Sequence, residues 1–402
     1  MPLPLFALLV CVFGVGTAEY VIAGLLPQVG SDLSVTVSSA GLLVTAYALG
    51  VVFGGPLLTA LTTRFDRKRL MIALMAVFTA GNLLAAVAPG YGVLMVARVV
   101  SALAHATLFA VAVVVAVGSV PAEKQGRAVA QVAAGLNLAT VLGVPLGTLL
   151  GEHYGWRSTF WAVSAVAVIG ILLIVALVPA THTGGGAPAS NLRDEVAALG
   201  RPQVALAIVM TVLGQTGAFT AYTYLATMLT DATGFSTGVV TALLLVYGVG
   251  SLAGNLLGGR LADRSLMPSL CGMLIALPVS LVLLGLTLES KAVVPVTVFV
   301  FGAAAFAITP ALQARLLGAA SGAPTLALSV NISAFQIANA LGSWLGGVVI
   351  DSTLGMDGVS WIAALVSLLA LPVALYAMRS DRRGERAATG DAVPAEQAGA
   401  AS

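Results

Sequence analysis

Apolar stretches of roughly 20 residues recur along the whole chain, separated by short polar or Gly/Pro/Ser-rich breaks, and each matches a helix that crosses a bilayer. The twelve stretches lie at 3–27, 38–61, 70–88, 92–118, 128–151, 158–179, 203–230, 236–258, 267–288, 293–317, 325–350 and 358–378. In lipid, a spanning segment of this kind satisfies its backbone polar groups by forming an α-helix. The pattern therefore predicts an all-α integral membrane protein with twelve transmembrane helices.

The longest polar interruption divides these stretches into two sets of six. It covers 180–201 and has the Gly/Pro/Ser composition of a flexible linker. We expect one six-helix bundle over 1–179 and a second over 202–378. The segment 379–402 is charged and has no apolar period, so we expect a disordered tail there.

The two halves of the chain also repeat each other. A shift of 200 residues places Gly14 on Gly214 and Arg64 on Arg264, and similar pairs occur in several spans. A shared offset across several spans indicates two parallel six-helix repeats, which we expect to form pseudo-symmetric bundles with a site at their interface.

Composition narrows the function classes. Hydrophobic residues make up 59% of the chain and charged residues 8%, whereas soluble proteins carry about 25% charged residues. The net charge of +2 provides no basic field for nucleic acid, so we expect no nucleic-acid partner. Cys11 and Cys271 both lie inside apolar runs, which argues against a disulfide framework.

The distribution of basic residues predicts the orientation. If both termini are cytoplasmic, 15 of the 18 Lys and Arg residues fall in the inner loops, the linker and the tail. Only Arg157 and Lys291 then face outward, and Arg98 lies inside a span. This asymmetry is a strong positive-inside signal, and it also supports the count of twelve spans.

Glu19 is the only acidic residue inside a predicted span. A charge at bilayer depth costs several kcal/mol, so an intramembrane carboxyl group indicates function. Burial favours the neutral form and contact with water the charged form, so such a group can carry a proton. The alternative is a structural Glu paired with a neighbouring helix.

Arg98 and His105 lie two turns apart on one face of the fourth span. Arginine keeps its charge, so Arg98 must meet backbone carbonyl groups or the embedded acid Glu19. A structural tie between helices and a role in proton coupling both fit. His105 could relay protons or could be a neutral hydrogen-bonding residue of the interior.

Small residues recur at every fourth position of the fifth span: Gly135, Ala139, Gly143, Gly147 and Gly151. This spacing lets two helices approach closely, and Pro145 is expected to bend the span. The stripe predicts close packing, and a sliding surface for alternating access is a further reading of the same pattern.

Two predicted inner loops carry clusters of charges. The first contains Arg64, Asp66 and Arg67, and the second runs from Gly259 through Asp263 to Arg264. These charges could bridge the cytoplasmic ends of the helices in one conformation and separate in another. They could also serve topology alone.

These motifs together resemble the major facilitator superfamily, in particular its twelve-span drug:proton antiporters. Arg98 matches the arginine of the fourth-span motif, with Ala102 in place of its usual glycine. Gly135 with the segment 143–147 is similar to the fifth-span antiporter motif, and 259–264 fits the loop motif. In the first half Thr residues replace the glycine and aspartate of that loop motif, so Asp66 is expected to substitute for the aspartate.

Two further segments narrow the resemblance. Gly16-Thr17-Ala18-Glu19-Tyr20 and Gly155-Trp156-Arg157-Ser158-Thr159-Phe160-Trp161 resemble chloramphenicol-efflux proteins of actinobacterial type and their sugar-efflux relatives. The resemblance implies a proton-driven antiporter in a bacterial inner membrane that works by alternating access. It also implies a small-molecule substrate, protons as the coupling ion and no cofactor, and we expect a monomer in the lipid bilayer.

We therefore expect an exporter of a drug-like molecule such as chloramphenicol, with proton coupling at Glu19, Arg98 and His105. The second half supplies no embedded charge, which suits a neutral substrate. Candidate residues for the cavity wall are Tyr20, Tyr47, Phe109, Asn137, Phe219, Tyr222, Asn331, Phe335 and Gln336.

Other functions of a membrane protein fit the sequence to different degrees. Efflux of a sugar or nucleoside fits the same fold, and a passive uniporter would not need Glu19. An intramembrane enzyme would need paired acids, a metal-binding set or a Ser–His arrangement at one depth, so we expect no enzymatic activity and no metal site.

Overall fold

A computed structural model describes residues 3–62, 65–121, 124–179, 201–319 and 324–390. For residues 56, 59, 60, 324–329 and 382–390 only the backbone is described. Twelve helices in these ranges are long and apolar enough to cross a membrane. The predicted all-α architecture with twelve transmembrane helices is confirmed.

The first six helices form one bundle. Their bounds are α1 Leu3–Leu33, α2 Val37–Thr62, α3 Arg67–Ala86, α4 Tyr91–Gly118, α5 Gln125–Tyr154 and α6 Trp156–Leu177. Within this bundle α1 packs on α5 and α6, while α3 packs on α4 and α6 and α2 packs on α4.

The second six helices repeat this arrangement. Their bounds are α7 Pro202–Asp231, α8 Thr237–Arg264, α9 Leu266–Thr287, α10 Val294–Ala319, α11 Pro324–Asp351, and α12 in two segments, Gly358–Leu368 and Ala370–Gly390. The same pairings recur, with α7 on α11 and α12, α9 on α10 and α12, and α8 on α10. The predicted pseudo-symmetric bundles are therefore present.

Backbone geometry at the turns explains part of the sequence repeat. Gly155 and Gly355 stand 200 residues apart, precede α6 and α12, and both have positive φ, at 81° and 59°. Ser34 and Gly234 are likewise 200 apart and both have positive φ, in the α1–α2 and α7–α8 turns. Because glycine adopts positive φ without a steric penalty, it suits both halves of such a repeat.

The fifth helix is not a regular α-helix throughout. It is α-helical over Gln125–Leu138 and Val144–Tyr154, with a π-helical turn over Ala139–Gly143 between them. In this turn the Val144 N–H donates to the Ala139 carbonyl oxygen. Pro145 follows directly and has no N–H to donate, so the wider turn lies where the α-helical ladder is interrupted.

Three helix ends differ from the sequence expectation by six residues or more. The helix α8 reaches Arg264 instead of 258, so the charged segment 259–264 lies at the end of this helix and not in a loop. The helix α1 continues past 27 to Leu33, which brings Asp32 to Trp156 Nε1 (3.0 Å) and Arg157 Nη1 (2.5 Å) at the start of α6. The expected disordered tail from 379 is instead helical as far as Gly390, and within this helix Asp381 pairs with Arg315 Nη1 of α10 at 2.9 Å. The linker residues 180–200 and the tail residues 391–402 lie outside the described residues.

Candidate functional site at the interface between the bundles

Glu19 lies midway along α1, at the boundary between the two bundles, and is 3% exposed. Its Oε1 accepts hydrogen bonds from Gln336 Nε2 at 2.8 Å and from Asn339 Nδ2 at 3.4 Å. Both amides belong to α11 of the second bundle. The embedded acid is therefore held by side chains of the opposite bundle, and of the two only Gln336 was among the candidate cavity residues.

Arg98 is 1% exposed and joins α4 to two other helices of its bundle. Its guanidinium donates to the carbonyl oxygens of Ala18 (2.5 Å), Glu19 (3.2 Å) and Leu43 (3.4 Å). It also lies over the Tyr47 ring, 4.2 Å from the ring centre. Arg98 therefore binds backbone carbonyl groups rather than the carboxyl group of Glu19. These bonds hold the backbone segment that carries Glu19.

His105 lies between Glu19 and Tyr47. Its Nδ1 is 3.6 Å from Glu19 Oε2 and 3.1 Å from the Tyr47 hydroxyl oxygen. All three side chains are buried. The geometry places His105 next to Oε2, the carboxyl oxygen that the α11 amides do not bind, and its role as a proton relay stays a prediction.

A cluster of aromatic rings extends from Glu19 into the second bundle. Tyr20 meets Tyr222 edge to face, with 6.2 Å between the ring centres, and Tyr222 stacks on Tyr247 with 4.8 Å between the ring centres. The ring centres of Phe301 and Phe306 lie 5.3 and 6.4 Å from that of Tyr247. The sequence analysis missed the last three residues, although the 200-residue repeat pairs Tyr247 with the candidate Tyr47.

Several buried polar atoms of α7 and α11 have no hydrogen-bond partner within the described part of the chain. They include the Tyr222 hydroxyl, Gln336 Oε1 and Asn331 Oδ1. An unpaired buried donor or acceptor costs about 1–3 kcal/mol. Such atoms beside stacked aromatic rings suit a ligand that has both an apolar surface and hydrogen-bonding groups.

The remaining cavity candidates lie elsewhere on the interface or within one bundle. Asn137 Oδ1 accepts from Asn255 Nδ2 at 3.4 Å, which links α5 to α8. Phe109 packs against the core of the first bundle. Phe219 is half-buried and lies against Gly342 of α11, and Phe335 is half-buried on α11.

The glycine stripe of α5 faces α1. A Cβ at Gly135 would lie 2.8 Å from the Leu9 carbonyl oxygen, and one at Gly143 would collide with Thr17. One at Gly147 would lie 2.5 Å from a Val21 methyl carbon. The predicted close approach of α5 to another helix is thus present, and Pro145 is buried beside it.

The charged loop residues are placed as follows. Arg64 lies outside the described residues. Asp66 caps α3 by accepting from the Arg69 N–H at 3.0 Å, and Arg67 is half-buried at the start of that helix. Asp263 and Arg264 are exposed at the end of α8, near the half-buried Gly259. No ion pair between these charges occurs among the residues described, so their bridging role stays a prediction.

The two bundles are joined at the end that carries the α1–α2 loop. The Ser38 hydroxyl donates to Asp351 Oδ1 at 2.9 Å, and the Ser343 hydroxyl donates to the Gly41 carbonyl oxygen at 2.6 Å. Tyr224 fills the space beside Gly41 and donates to the Ser343 carbonyl oxygen at 2.9 Å. The two serine bonds connect α2 to α11 across the interface, and the Tyr224 bond connects α7 to α11 within the second bundle.

Two pseudo-symmetric six-helix bundles with a buried polar site at their interface are the arrangement of a large class of membrane transporters. Comparison with known sequences identifies the family. The chain matches the Major Facilitator Superfamily over residues 8–323 and belongs to it.

Several relatives extend over nearly the full chain. The inner membrane transport protein YdhP of Escherichia coli (strain K12) is 42% identical over 94% of this chain and 96% of its own length. A chloramphenicol resistance protein of Streptomyces lividans is 39% identical over 93% of this chain and 96% of its own. The fold also resembles a solved bacterial homologue of the human lysosomal transporter Spinster, with a TM-score of 0.74, 16% identity, and coverage of 94% of this chain and 96% of that one.

Proposed function

We propose that this protein is a proton-coupled exporter of a small, neutral, drug-like molecule, with chloramphenicol as the first candidate substrate. The observation that carries the proposal is Glu19, a buried carboxyl group at the boundary between the bundles whose partners come from both of them. The 39% identity with a chloramphenicol resistance protein supports the choice of substrate.

Each part of the site has a role in this scheme. Glu19 takes up a proton from one side of the membrane and releases it on the other. Arg98 positions the backbone of α1 through its bonds to carbonyl oxygens. The rings of Tyr20, Tyr222 and Tyr247 supply an apolar surface for the substrate, and the unpaired polar atoms nearby bind its hydrogen-bonding groups.

The proposed location is a bacterial inner membrane with both termini in the cytoplasm. The excess of basic residues in one set of loops supports this orientation. In this orientation the α1–α2 loop end faces outward, and the bonds between α2 and α11 close the outer side.

A susceptibility panel tests the export of drugs. Expression in a bacterium that lacks its own efflux pumps is expected to raise the tolerated concentration of chloramphenicol, and a proton uncoupler is expected to abolish accumulation differences between expressing and control cells. Protection only against toxic sugar or nucleoside analogues would replace the drug by a metabolite as substrate. Protection that survives the uncoupler would contradict proton coupling.

A further inference from the structure

The contact between Glu19 and α11 is the closest polar link between the bundles at the level of the site. Gln336 and Asn339 are 5% and 2% exposed, and both donate to the same carboxyl oxygen. Gln336 lies 317 residues from Glu19 along the chain. The acid on α1 and the two amides on α11 therefore tie the halves of the molecule together.

The strength of this tie depends on the charge of Glu19. A hydrogen bond to a charged acceptor is roughly twice as strong as one between neutral groups. Low surrounding polarity strengthens it further, because little water competes for the donors. Protonation of Glu19 therefore weakens both bonds at once, without any movement of the amides.

Other groups around the carboxyl limit where the proton is added. Oε1 already has two amide donors, whereas Oε2 faces His105 Nδ1 at 3.6 Å. Protonation at Oε2 leaves the amides in place but removes the charge that holds them. The titratable and charged groups near Glu19 are Tyr20 on α1, Tyr47 on α2, Arg98 and His105 on α4, and Tyr222 on α7.

An exchanger must prevent its empty, deprotonated form from switching sides, because such a step would let substrate flow without protons. We propose that Gln336, assisted by Asn339, acts as a lock that reads the charge of Glu19. Charged Glu19 holds α11 against α1 with the outer side closed. A proton on Glu19, or a substrate that takes the Gln336 amide, releases the lock. The inference rests on the proposed proton coupling and assigns the residue that transmits it.

Gln215 provides a matched control. It is also a buried glutamine of the second bundle, at 3% exposure, but it donates to Ala305 O and Thr309 Oγ1 of α10 within the same bundle. Gln215→Leu makes the same side-chain change at a buried glutamine whose bonds go to neutral acceptors, without affecting the link between the bundles. A general loss of stability would therefore appear in both variants.

The test measures the outer opening directly and needs no substrate. Spin labels are attached at Ser31→Cys on α1 and Thr353→Cys after α11, two exposed positions at the α1–α2 loop end, after Cys11 and Cys271 are replaced by alanine. Distances are measured in lipid nanodiscs from acidic to alkaline pH. The parent protein is expected to show one short distance at alkaline pH and an additional longer one at acidic pH.

In Gln336→Leu the longer distance is expected already at alkaline pH, with the ratio of closed to open forms reduced by about tenfold or more, which corresponds to about 1.4 kcal/mol. Asn339→Leu is expected to change the ratio in the same direction but less, because its nitrogen is 3.4 Å from Oε1. Gln215→Leu is expected to match the parent.

The outcomes separate the lock from the proposed proton site. If Gln336→Leu responds to pH like the parent protein, or if Gln215→Leu changes as much as Gln336→Leu, the lock is wrong. In either case, distances in Glu19→Gln that do not depend on pH would still support Glu19 as the proton site. A parent protein whose distances ignore pH also overturns the lock. If Glu19→Gln still responds to pH like the parent, the proton site itself is wrong.

Discussion

At the scale of single residues, Glu19 differs from the other acids of the chain by its depth in the membrane and by its partners. It is held by amides of α11 on one side, and His105 lies near its second oxygen. Arg98 binds the backbone next to it. The bonds from Arg98 to the backbone therefore keep α1 in position when a change of charge on Glu19 weakens its bonds to the α11 amides.

Glu19→Gln keeps the shape of the side chain and an oxygen that accepts from Gln336, but it removes titration. We expect exchange of labelled chloramphenicol across vesicles at equal pH to survive, and accumulation driven by a pH difference to fall to background. Both are measured in everted membrane vesicles.

The matched control for this prediction is Glu152→Gln, which changes a half-buried acid at the end of α5. It is expected to transport like the parent. Accumulation against a gradient by Glu19→Gln under an imposed pH difference would show that coupling takes place elsewhere.

At the scale of elements, α5 packs closely against α1, the helix that carries Glu19. Because glycine has no side chain at these contacts, the backbones of the two helices approach each other closely. The π-helical turn of α5 faces Thr17 of α1, two residues before Glu19. Any bulky residue in this stripe must push the helices apart. The position of Glu19 relative to the second bundle therefore depends on small residues of another helix.

Gly147→Leu inserts a branched side chain against Val21 and Thr159. Overpacking of this kind costs about 1–3 kcal/mol, so we expect a lower melting temperature and loss of transport, with membrane insertion retained. Thermal unfolding in detergent and vesicle transport measure the two effects.

The comparison is with Gly272→Leu, a helical glycine of α9 with open space around it. Both changes alter helix propensity equally. The difference in melting temperature and transport between the two variants therefore measures the effect of packing against α1. If Gly147→Leu behaves like Gly272→Leu, the contact between α5 and α1 does not constrain transport.

At the scale of the whole molecule, the proposed exchange has one titrating carboxyl group and a neutral substrate, and these determine how charge moves in a cycle. In this scheme one proton enters as one substrate molecule leaves, so each cycle would move one positive charge inward. A potential of ~100 mV supplies about 2.3 kcal/mol per charge. A monovalent cationic substrate would cancel this movement and leave the pH difference as the only driving force.

In vesicles clamped at equal pH, we therefore expect an imposed potential to drive export of a neutral substrate by itself, when the side from which substrate is expelled is negative. Uptake of labelled chloramphenicol after a potassium–valinomycin potential measures this. Transport that ignores the potential would contradict exchange of one proton for one neutral molecule.

Local patterns in the sequence determined the number of helices, their order and their repeat. A bilayer demands an apolar helix of fixed length, and each such helix leaves its mark over consecutive residues. The isolation of Glu19, the stripe of α5 and the resemblance to the superfamily are patterns of the same local kind. The bounds failed where a helix continues into a polar segment, as α1 does at Asp32, α8 at Arg264 and α12 at Asp381.

Only the tertiary structure decided which side chains meet. The choice of carbonyl oxygens by Arg98, the amides on Glu19 and the rings around Tyr247 join residues far apart in the chain. In a membrane protein the lipid-facing and protein-facing sides of a helix are both apolar, so periodicity gives little indication of which face meets a neighbour. The rotation of each helix, and with it the partners of Glu19, therefore follows from packing between the bundles.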